Sequence, residues 1–215
     1  MINSIESPSH GLAFAHPDRL LMLRRRGYFT LMDATLNMNY LKWYLTTLMV
    51  RTEYASWIPV AHFLYQFQDS DIIATGLRKI KEWCGNQWLL RYILTDDSAG
   101  EQCAVRKAFP GLIAGEQEVT HILCTVHSER TMRRTLAGSR YEEVRKHLLV
   151  AMRVRRTQAG CMESVRAAIK ASPKEKTAYI EKEWLATCSQ WAMYARQHSS
   201  LLIQVGQENL TMYLH

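Results

Sequence analysis

The chain has 215 residues, of which 47% are hydrophobic, so it can bury one substantial core and is not an intrinsically disordered protein. Its formal net charge is +7, from 27 basic and 20 acidic residues, which favours a polyanionic partner such as DNA. No apolar run approaches the roughly 18 residues of a membrane span, and the N-terminus lacks the layout of a secretory signal. The five cysteines are scattered, which is typical of reduced thiols, and we expect a nuclear or cytoplasmic protein that is not secreted.

The first part of the chain is predicted to begin with a loop-rich lead-in segment and then to form strands. Residues 1–26 have the composition of loops followed by a short basic helix. A run of β-forming residues over 28–32 then delivers a carboxylate at its end, Asp33. Two further strands are predicted over 44–51 and 57–67, and the turn between them indicates an antiparallel hairpin.

The pattern then alternates between helices and strands. Helical spacing follows a candidate N-cap at Asp69 or Ser70, a strand over 89–95 ends at Asp96, a helix covers 100–109, and a fifth strand covers 119–124. From about residue 128 the chain is predicted to be almost wholly helical. The order β-β-β-α-β-α-β predicts an α/β fold: a ribonuclease H-like mixed sheet with helices on both sides.

Asp33 and Asp96 are the principal candidates for a functional site. Each follows a buried strand, where a carboxylate is costly to hold, so two of them converging would indicate a divalent cation or a proton between them. Magnesium prefers carboxylate and water ligands, which fits this pair. The alternative is that Asp33 caps a turn, and that Asp97 or Ser98 caps the helix that follows Asp96.

Two other groups of residues have competing interpretations. His121, Cys124 and His127 lie close together at the end of the fifth strand, and the spacing of Cys124 and His127, three apart, suits zinc, although no second ligand pair stands at the usual distance. Local packing is the simpler interpretation of these two side chains. The aromatic residues of one helical segment are spaced to stack on nucleobases or to form a core stripe, and the core stripe is favoured: Trp184, Trp191 and Tyr194.

Positive charge is concentrated between residues 130 and 156. This window holds nine Lys or Arg and only two acids, Glu142 and Glu143. Such a cluster suits the phosphates of DNA, and a solvated helix face is the alternative. The candidate DNA-binding residues are Arg130, Arg133, Arg134, Arg153, Arg155 and Arg156.

Several segments together resemble one family. GYFTLMDATLNMNYLKWYLTTLMVR, ASWIPVAHFL, TDDSAGEQCAVRKAFPG and HILCTVHSERTMRR are similar to the Mutator-like element (MULE) transposase domain in its fungal-type version. The similarity extends from about His16 to the C-terminus. The block D-A-T, the block T-D after a strand and the C-x-x-H that follows are together quite specific.

The resemblance implies a function and a division of the chain. The family has a ribonuclease H-like fold and uses an acidic DDE triad with Mg²⁺ or Mn²⁺ to cut and join DNA strands. It implies Asp33 as the first acid, Asp96 as the second, and Cys124 with His127 as the family's C-x-x-H motif. Four segments follow from it: an N-terminal lead-in, a transposase core, an all-helical insertion and the start of the final core helix, over residues 1–26, 27–128, 129–198 and 199–215.

The third acid departs from the family pattern. The stretch SSLLIQV and Asn209 match the family's last segment, but Met212 stands where relatives carry Glu. Glu208 is one helical turn away and is the further candidate metal ligand. A thioether does not replace a carboxylate on Mg²⁺. We therefore expect a truncated transposase with impaired catalysis, or a catalytically inactive DNA- or protein-binding module derived from one.

Overall fold

The structure is a computed structural model that describes residues 2–5, 11–36, 42–54, 56–96, 98–111 and 119–196. The chain divides into two compact units between His121 and Ile122. The elements of the first unit are β1 (Ile2–Ile5), β2 (Gly11–Phe14), α1 (Pro17–Arg26), β3 (Phe29–Thr35), β4 (Tyr44–Arg51), β5 (Trp57–Tyr65), α2 (Ser70–Trp83), β6 (Tyr92–Thr95), α3 (Ala99–Ala108) and β7 (Thr120–Leu123), the last of which crosses the division.

The first unit is an α/β structure built on a mixed sheet. Across the described residues the seven strands follow the order β1-β2-β5-β4-β3-β6-β7. The pairs β1–β2, β2–β5, β5–β4 and β4–β3 are antiparallel, whereas β3 and β6 run parallel. Strand β3 therefore lies where the sheet changes from antiparallel to parallel pairing.

Strand β5 contains a proline at a position that pairs with β4 alone, because β2 pairs only with residues 62–65. The pairing of β4 with β5 shifts register between Leu48 and Met49, and Pro59 is the partner of Met49 at this irregularity. Because proline has no N–H to donate, a bulge is the position in a sheet where it is tolerated. Beyond the bulge the ladder is regular and pairs Thr47 with His62.

One face of the sheet carries the core of the first unit. Alternate residues such as Met32, Leu48 and Phe63 are fully buried and belong to one apolar cluster. The same cluster contains Leu23 of α1 and Leu77 of α2. Helix α3 contributes Ala104, Val105 and Ala108 to it. The three described helices of this unit therefore share one face, and the predicted arrangement of helices on both sides is not seen within it.

The junction between α1 and β3 depends on a glycine. The N–H of Gly27 donates to the carbonyl of Leu23, and the indole Nε1 of Trp88 donates to the carbonyl of Gly27 at 2.9 Å. A Cβ at residue 27 would lie 2.3 Å from the Leu23 carbonyl oxygen and 2.5 Å from the Trp88 ring. Only glycine lets helix, strand and indole approach this closely.

The second unit is helical in the part of the chain that the structure describes. Its helices are α4 (Thr125–Thr135), α5 (Glu142–Arg153), α6 (Gln158–Ala171), α7 (Lys174–Ile180), α8 (Cys188–Trp191) and α9 (Met193–Arg196), with a π-helical turn over Glu181–Leu185. Their apolar stripes form a separate core. Trp184 and Trp191 lie in it, 4% and 1% exposed, with ring centroids 5.1 Å apart. The prediction that these tryptophans form a core stripe is confirmed.

Most elements were predicted, and the lead-in is the main difference. Strand β4 has the predicted bounds, and Asp69 is the N-cap of α2 as expected. Residues 1–26 do end in the basic helix α1, but they also supply β1 and β2, which extend the sheet beyond β5. The predicted boundary at 128 falls inside α4. None of the helices that the structure describes is both long and apolar enough to cross a membrane.

Candidate functional site

Asp33 and Asp96 are brought together by the register of two parallel strands. Residues Phe29, Thr30 and Leu31 of β3 lie beside Tyr92, Ile93 and Leu94 of β6. The same offset places Asp33 beside Asp96, which directly follows β6. Asp33 itself lies inside β3 and pairs with Thr47, so the alternative that it caps a turn is wrong.

The two carboxylates lie close enough to share a cation. An oxygen of Asp33 is within 4.8 Å of an oxygen of Asp96, and both residues are half-buried. Two negative charges at this separation repel each other by roughly 3 kcal/mol at an effective dielectric constant of about 20. Oxygens that bind one Mg²⁺ at about 2.1 Å lie about 3 to 4 Å apart, so a small side-chain movement brings this pair to ligand distance. The expected proximity of the two acids is thus found, and the donor set fits Mg²⁺ or Mn²⁺.

The helix after Asp96 has its own cap. The Ser98 hydroxyl accepts a hydrogen bond from the backbone N–H of Glu101 at 3.3 Å, so Ser98 is the N-cap of α3. Asp97, the other candidate cap, lies outside the described residues. Because Ser98 satisfies the helix terminus, Asp96 is not required as a cap.

A polar row that the sequence analysis missed continues from Asp33 across the sheet. Thr47 of β4 is the register partner of Asp33, and His62 of β5 is the partner of Thr47. The hydroxyl of Thr47 lies 3.1 Å from Nδ1 of His62, and the imidazole stacks on Phe14 with centroids 5.0 Å apart. Burial lowers the pKa of His62, which favours its neutral form. The alternation of polar residues in the predicted hairpin was the signal that could have identified this row.

Cys124 and His127 occupy the start of α4 in the second unit. Cys124 is the N-cap residue and is 5% exposed, but its side chain makes no capping hydrogen bond. His127 lies in the first turn and is half-buried. Cys124 belongs to no cluster of three or more metal-ligating side chains among the described residues. A zinc site at this C-x-x-H therefore stays a prediction.

The six candidate DNA-binding arginines are all exposed, as expected, but an acid that lies just outside the charged window contacts two of them. Glu129 of α4 accepts from Arg133 at 2.7 Å and from Arg153 of α5. The Glu129 side chain is only 14% exposed, so it is a fixed counter-charge within the basic surface. Arg155 donates to Ser164 at 3.0 Å. The patch is therefore less positive than the sequence count indicates.

The predicted position of the third acid comes after residue 196. Glu208 and Met212 lie outside the described residues, as does the segment 199–205 that carries part of the resemblance.

No family model matches the chain, and a search of curated proteins found no significant match. The resemblance to MULE transposases therefore depends on the motifs in the chain itself.

Proposed function

We propose that this chain is a transposase-derived domain, similar to MULE DDE transposases, that acts on DNA through metal-dependent phosphoryl transfer. The observation that carries the proposal is the approach of Asp33 and Asp96 to within 4.8 Å from two neighbouring strands. Two half-buried carboxylates at this distance are an arrangement that a cation stabilises. The proposal applies to a protein of the nucleus or cytoplasm.

The topology of the sheet supports a ribonuclease H-like core. Strands β3, β4 and β5 form a meander of antiparallel pairs, and β6 then joins β3 in parallel after helix α2. This is the order that the resemblance implies, with the first acid on the first strand of the meander and the second acid after the parallel strand. Strands β1 and β2 are additions to that core.

In the proposed reaction the chain supplies ligands and positioning. Asp33 and Asp96 would hold Mg²⁺ or Mn²⁺, which supplies Lewis-acid stabilisation of charge on a phosphoryl oxygen when bound. Asp33 lies inside β3 and pairs with Thr47 of β4, so the sheet sets the position of its backbone before any ion or DNA arrives.

Contact with DNA is assigned to the basic helices of the second unit. Arg130 and Arg134 lie one turn apart on α4, and both are exposed. Arg133 and Arg153 belong to the same set of candidates, but both form ion pairs with Glu129. We infer sequence-independent binding to the phosphate backbone, which falls steeply as salt rises.

The second candidate function is a catalytically inactive DNA- or protein-binding module. Met212 favours it, because the family places a Glu there and a thioether is a poor ligand for Mg²⁺. With two aspartates alone, an ion would be held weakly and strand transfer would be negligible. Glu208 is the residue that would restore a third carboxylate.

Calorimetric titration with Mn²⁺ tests the proposed site. We expect the unmodified chain to bind Mn²⁺, and Asp33→Asn and Asp96→Asn each to weaken binding at least tenfold, because each removes a charged ligand. The matched control is Asp18→Asn, an exposed acid of α1 that should leave the titration unchanged. Equal Mn²⁺ binding by all four proteins, or none by the unmodified chain, would contradict the metal site.

Robust Mg²⁺-dependent DNA cleavage separates the two candidate functions. If cleavage occurs and Glu208→Gln abolishes it, the domain is an active enzyme with Glu208 as the third acid. If the chain binds Mn²⁺ and DNA without cleaving, the inactive module is supported.

A further inference from the structure

Arginines and tyrosines from separate segments of the first unit gather at the end of the sheet where β3 begins. Helix α1 ends in three consecutive arginines, and Tyr28 directly precedes β3. The antiparallel register pairs Thr30 of β3 with Val50 of β4, so the turn that follows β4 lies beside Tyr28. Tyr54 stands in this turn, between β4 and β5. We call the following residues the arginine–tyrosine surface: Arg24, Arg25, Arg26, Tyr28, Tyr54 and Arg91.

Two contacts join the segments of this surface. Arg26 of α1 forms an ion pair with Glu53, the residue before Tyr54, and so ties the helix to the turn. The backbone N–H of Arg91, just before β6, donates to the carbonyl of Tyr28 at 2.9 Å. The end of α1, the turn after β4 and the start of β6 therefore lie next to one another, although they are far apart in the sequence.

Positive charge on this surface exceeds the acids that pair with it. Arg24, Arg25 and Arg91 are exposed, and none of them forms an ion pair with another described residue. Arg24 donates instead to the neutral side-chain amide of Gln87. The helix macrodipole favours basic residues in the last turn of α1, which accounts for Arg24 and Arg25, but it does not account for Arg91. Three guanidinium groups are thus available to a polyanion.

Two aromatic rings are exposed beside these charges. Tyr54 is 83% exposed and Tyr28 is 40% exposed, whereas the nearby rings of Phe29 and Trp57 are buried against each other. Exposed rings among free guanidinium groups are typical of surfaces that bind single-stranded nucleic acid, because the cations meet the backbone while the rings stack on unpaired bases. In a duplex the bases are already paired and stacked, so the two rings would gain no such partner there.

We propose that the arginine–tyrosine surface binds single-stranded nucleic acid. Arg24, Arg25 and Arg91 contact backbone phosphates, and Tyr28 and Tyr54 stack on unpaired bases. Because an aromatic ring stacks on any base, this binding has no sequence preference.

This surface is separate from the pair of acids proposed to hold a metal ion. Tyr28 precedes Asp33 by five residues along the chain, which corresponds to about 17 Å in an extended strand. The inference therefore needs neither the metal site nor DNA cleavage, and it does not depend on the basic helices of the second unit. A catalytically inactive module could carry this surface unchanged.

The test is fluorescence anisotropy of the full-length chain with two labelled probes, an oligothymidylate of about 20 nucleotides and a mixed-sequence duplex of the same length. We expect Tyr54→Ala and Tyr28→Ala each to lower the affinity for oligothymidylate about fivefold or more and to leave the affinity for the duplex unchanged. The matched control is Phe67→Ala, which removes an exposed ring beyond the other end of β5 and should change neither affinity.

The double variant Arg24→Gln/Arg25→Gln tests the phosphate contacts. It should lower the affinity for oligothymidylate and reduce the slope of log affinity against log salt by about 1.4, because two phosphate contacts are lost. The control is Arg78→Gln, which replaces an exposed arginine of α2 and should leave the slope unchanged.

The results with the two probes separate this inference from the proposed function. Unchanged affinity of both tyrosine variants for oligothymidylate would overturn the inference. Displacement of oligothymidylate by polyglutamate at an equal concentration of charge would also overturn it, because it would assign the surface to acidic proteins. A chain that binds the duplex but not oligothymidylate contradicts the inference and leaves the proposed DNA contact of the second unit standing. A chain that binds oligothymidylate through Tyr28 and Tyr54, but no duplex, supports the inference and contradicts that contact.

Discussion

The two units of this protein bring distant residues together in different ways. In the first unit, Asp33 and Asp96 meet because β3 and β6 pair in a fixed register, in which every residue has a definite neighbour. In the second unit, Arg133 meets Glu129 one turn away on the same helix, whereas Met162 of α6 meets Cys188 of α8 only through the packing of separate helices. A sheet thus reveals which residues are neighbours once its strand order is known, and a helical bundle does not.

The buried side chain of His121 is expected to give the largest effect, a dependence of the first unit's stability on pH. It is 8% exposed on β7, and neither ring nitrogen has a hydrogen-bond partner among the described residues. Burial, with a smaller contribution from Arg106, lowers its pKa to about 4. The unfolded chain therefore binds this proton more readily than the folded one, so stability should fall as the pH drops from about 6.5 to 4, by up to about 3 kcal/mol.

Urea unfolding of the unmodified chain and of His121→Phe across this pH range measures the effect. The difference in unfolding free energy between the two proteins should change by most of that amount between pH 7.5 and 4. A difference that stays constant with pH would mean that β7 opens to let the imidazole reach water.

Gly27→Ala should have the next largest effect. The new methyl group would overlap the Leu23 carbonyl and the Trp88 ring, and we expect a loss of about 2 kcal/mol in the free energy of unfolding. The matched control is Gly100→Ala in α3, where the nearest atom is 3.7 Å from the added Cβ. That change should stabilise the protein by about 0.5–1 kcal/mol, because alanine is the better helix former. Equal effects of the two substitutions would show that the α1–β3 junction can move to make room for the added methyl group.

Substitutions of two adjacent threonines compare the two faces of the sheet. Thr46 is buried on the core face and hydrogen-bonds the Tyr65 hydroxyl at 3.0 Å, whereas half-buried Thr47 bonds His62 on the face of Asp33. We expect Thr46→Val to cost about 1.5 kcal/mol, because the Tyr65 hydroxyl loses its partner in the core. Thr47→Val should cost about 0.5 kcal/mol, since His62 still reaches solvent. Denaturant unfolding gives both values. A larger loss for Thr47→Val than for Thr46→Val would show that the face of the sheet that carries Asp33 is less accessible to water than the core face.

Glu129→Gln tests the second unit and has the smallest expected effect. Removing this acid frees Arg133 and Arg153, so affinity for duplex DNA should rise a few-fold, by about 0.5–1 kcal/mol. Fluorescence anisotropy at 50 and 200 mM salt would measure the change and a steeper salt dependence. Glu175→Gln, which frees Arg140 instead, is the control. An unchanged or weaker affinity for Glu129→Gln would exclude these arginines from the DNA contact.

In the first unit, the sequence predicted the strands after residue 26 better than the two strands before it. Strand β4 was bounded correctly because its apolar and β-branched run is uninterrupted, and the proximity of Asp33 to Asp96 followed from the strand order. Strands β1 and β2 were missed because Pro8, Gly11 and Pro17 give residues 1–26 the composition of loops. The metal-binding role of the acids remains a prediction.

The contacts of the second unit were harder to predict. Glu129 was overlooked because it stands one residue before the charged window, and its two arginine partners come from different helices. The contacts of Cys188 with Met162 and Tyr194 depend on how α6 packs against α8 and α9, which sequence periodicity does not determine. Charge counting and periodicity identify which residues lie on a surface or in a core, but not which of them meet.

The parallel pairing of β3 with β6 also has a consequence for the order of folding. Strands β4 and β5 are joined by a short turn and can pair early, whereas β6 must return across the whole hairpin and helix α2 to reach β3. Because closing a long loop costs more chain entropy than closing a short one, we expect β6 to dock late. We therefore expect the two aspartates to become neighbours late, after the main barrier to folding has been crossed. A cation bound between them would accordingly slow unfolding and leave the folding rate nearly unchanged.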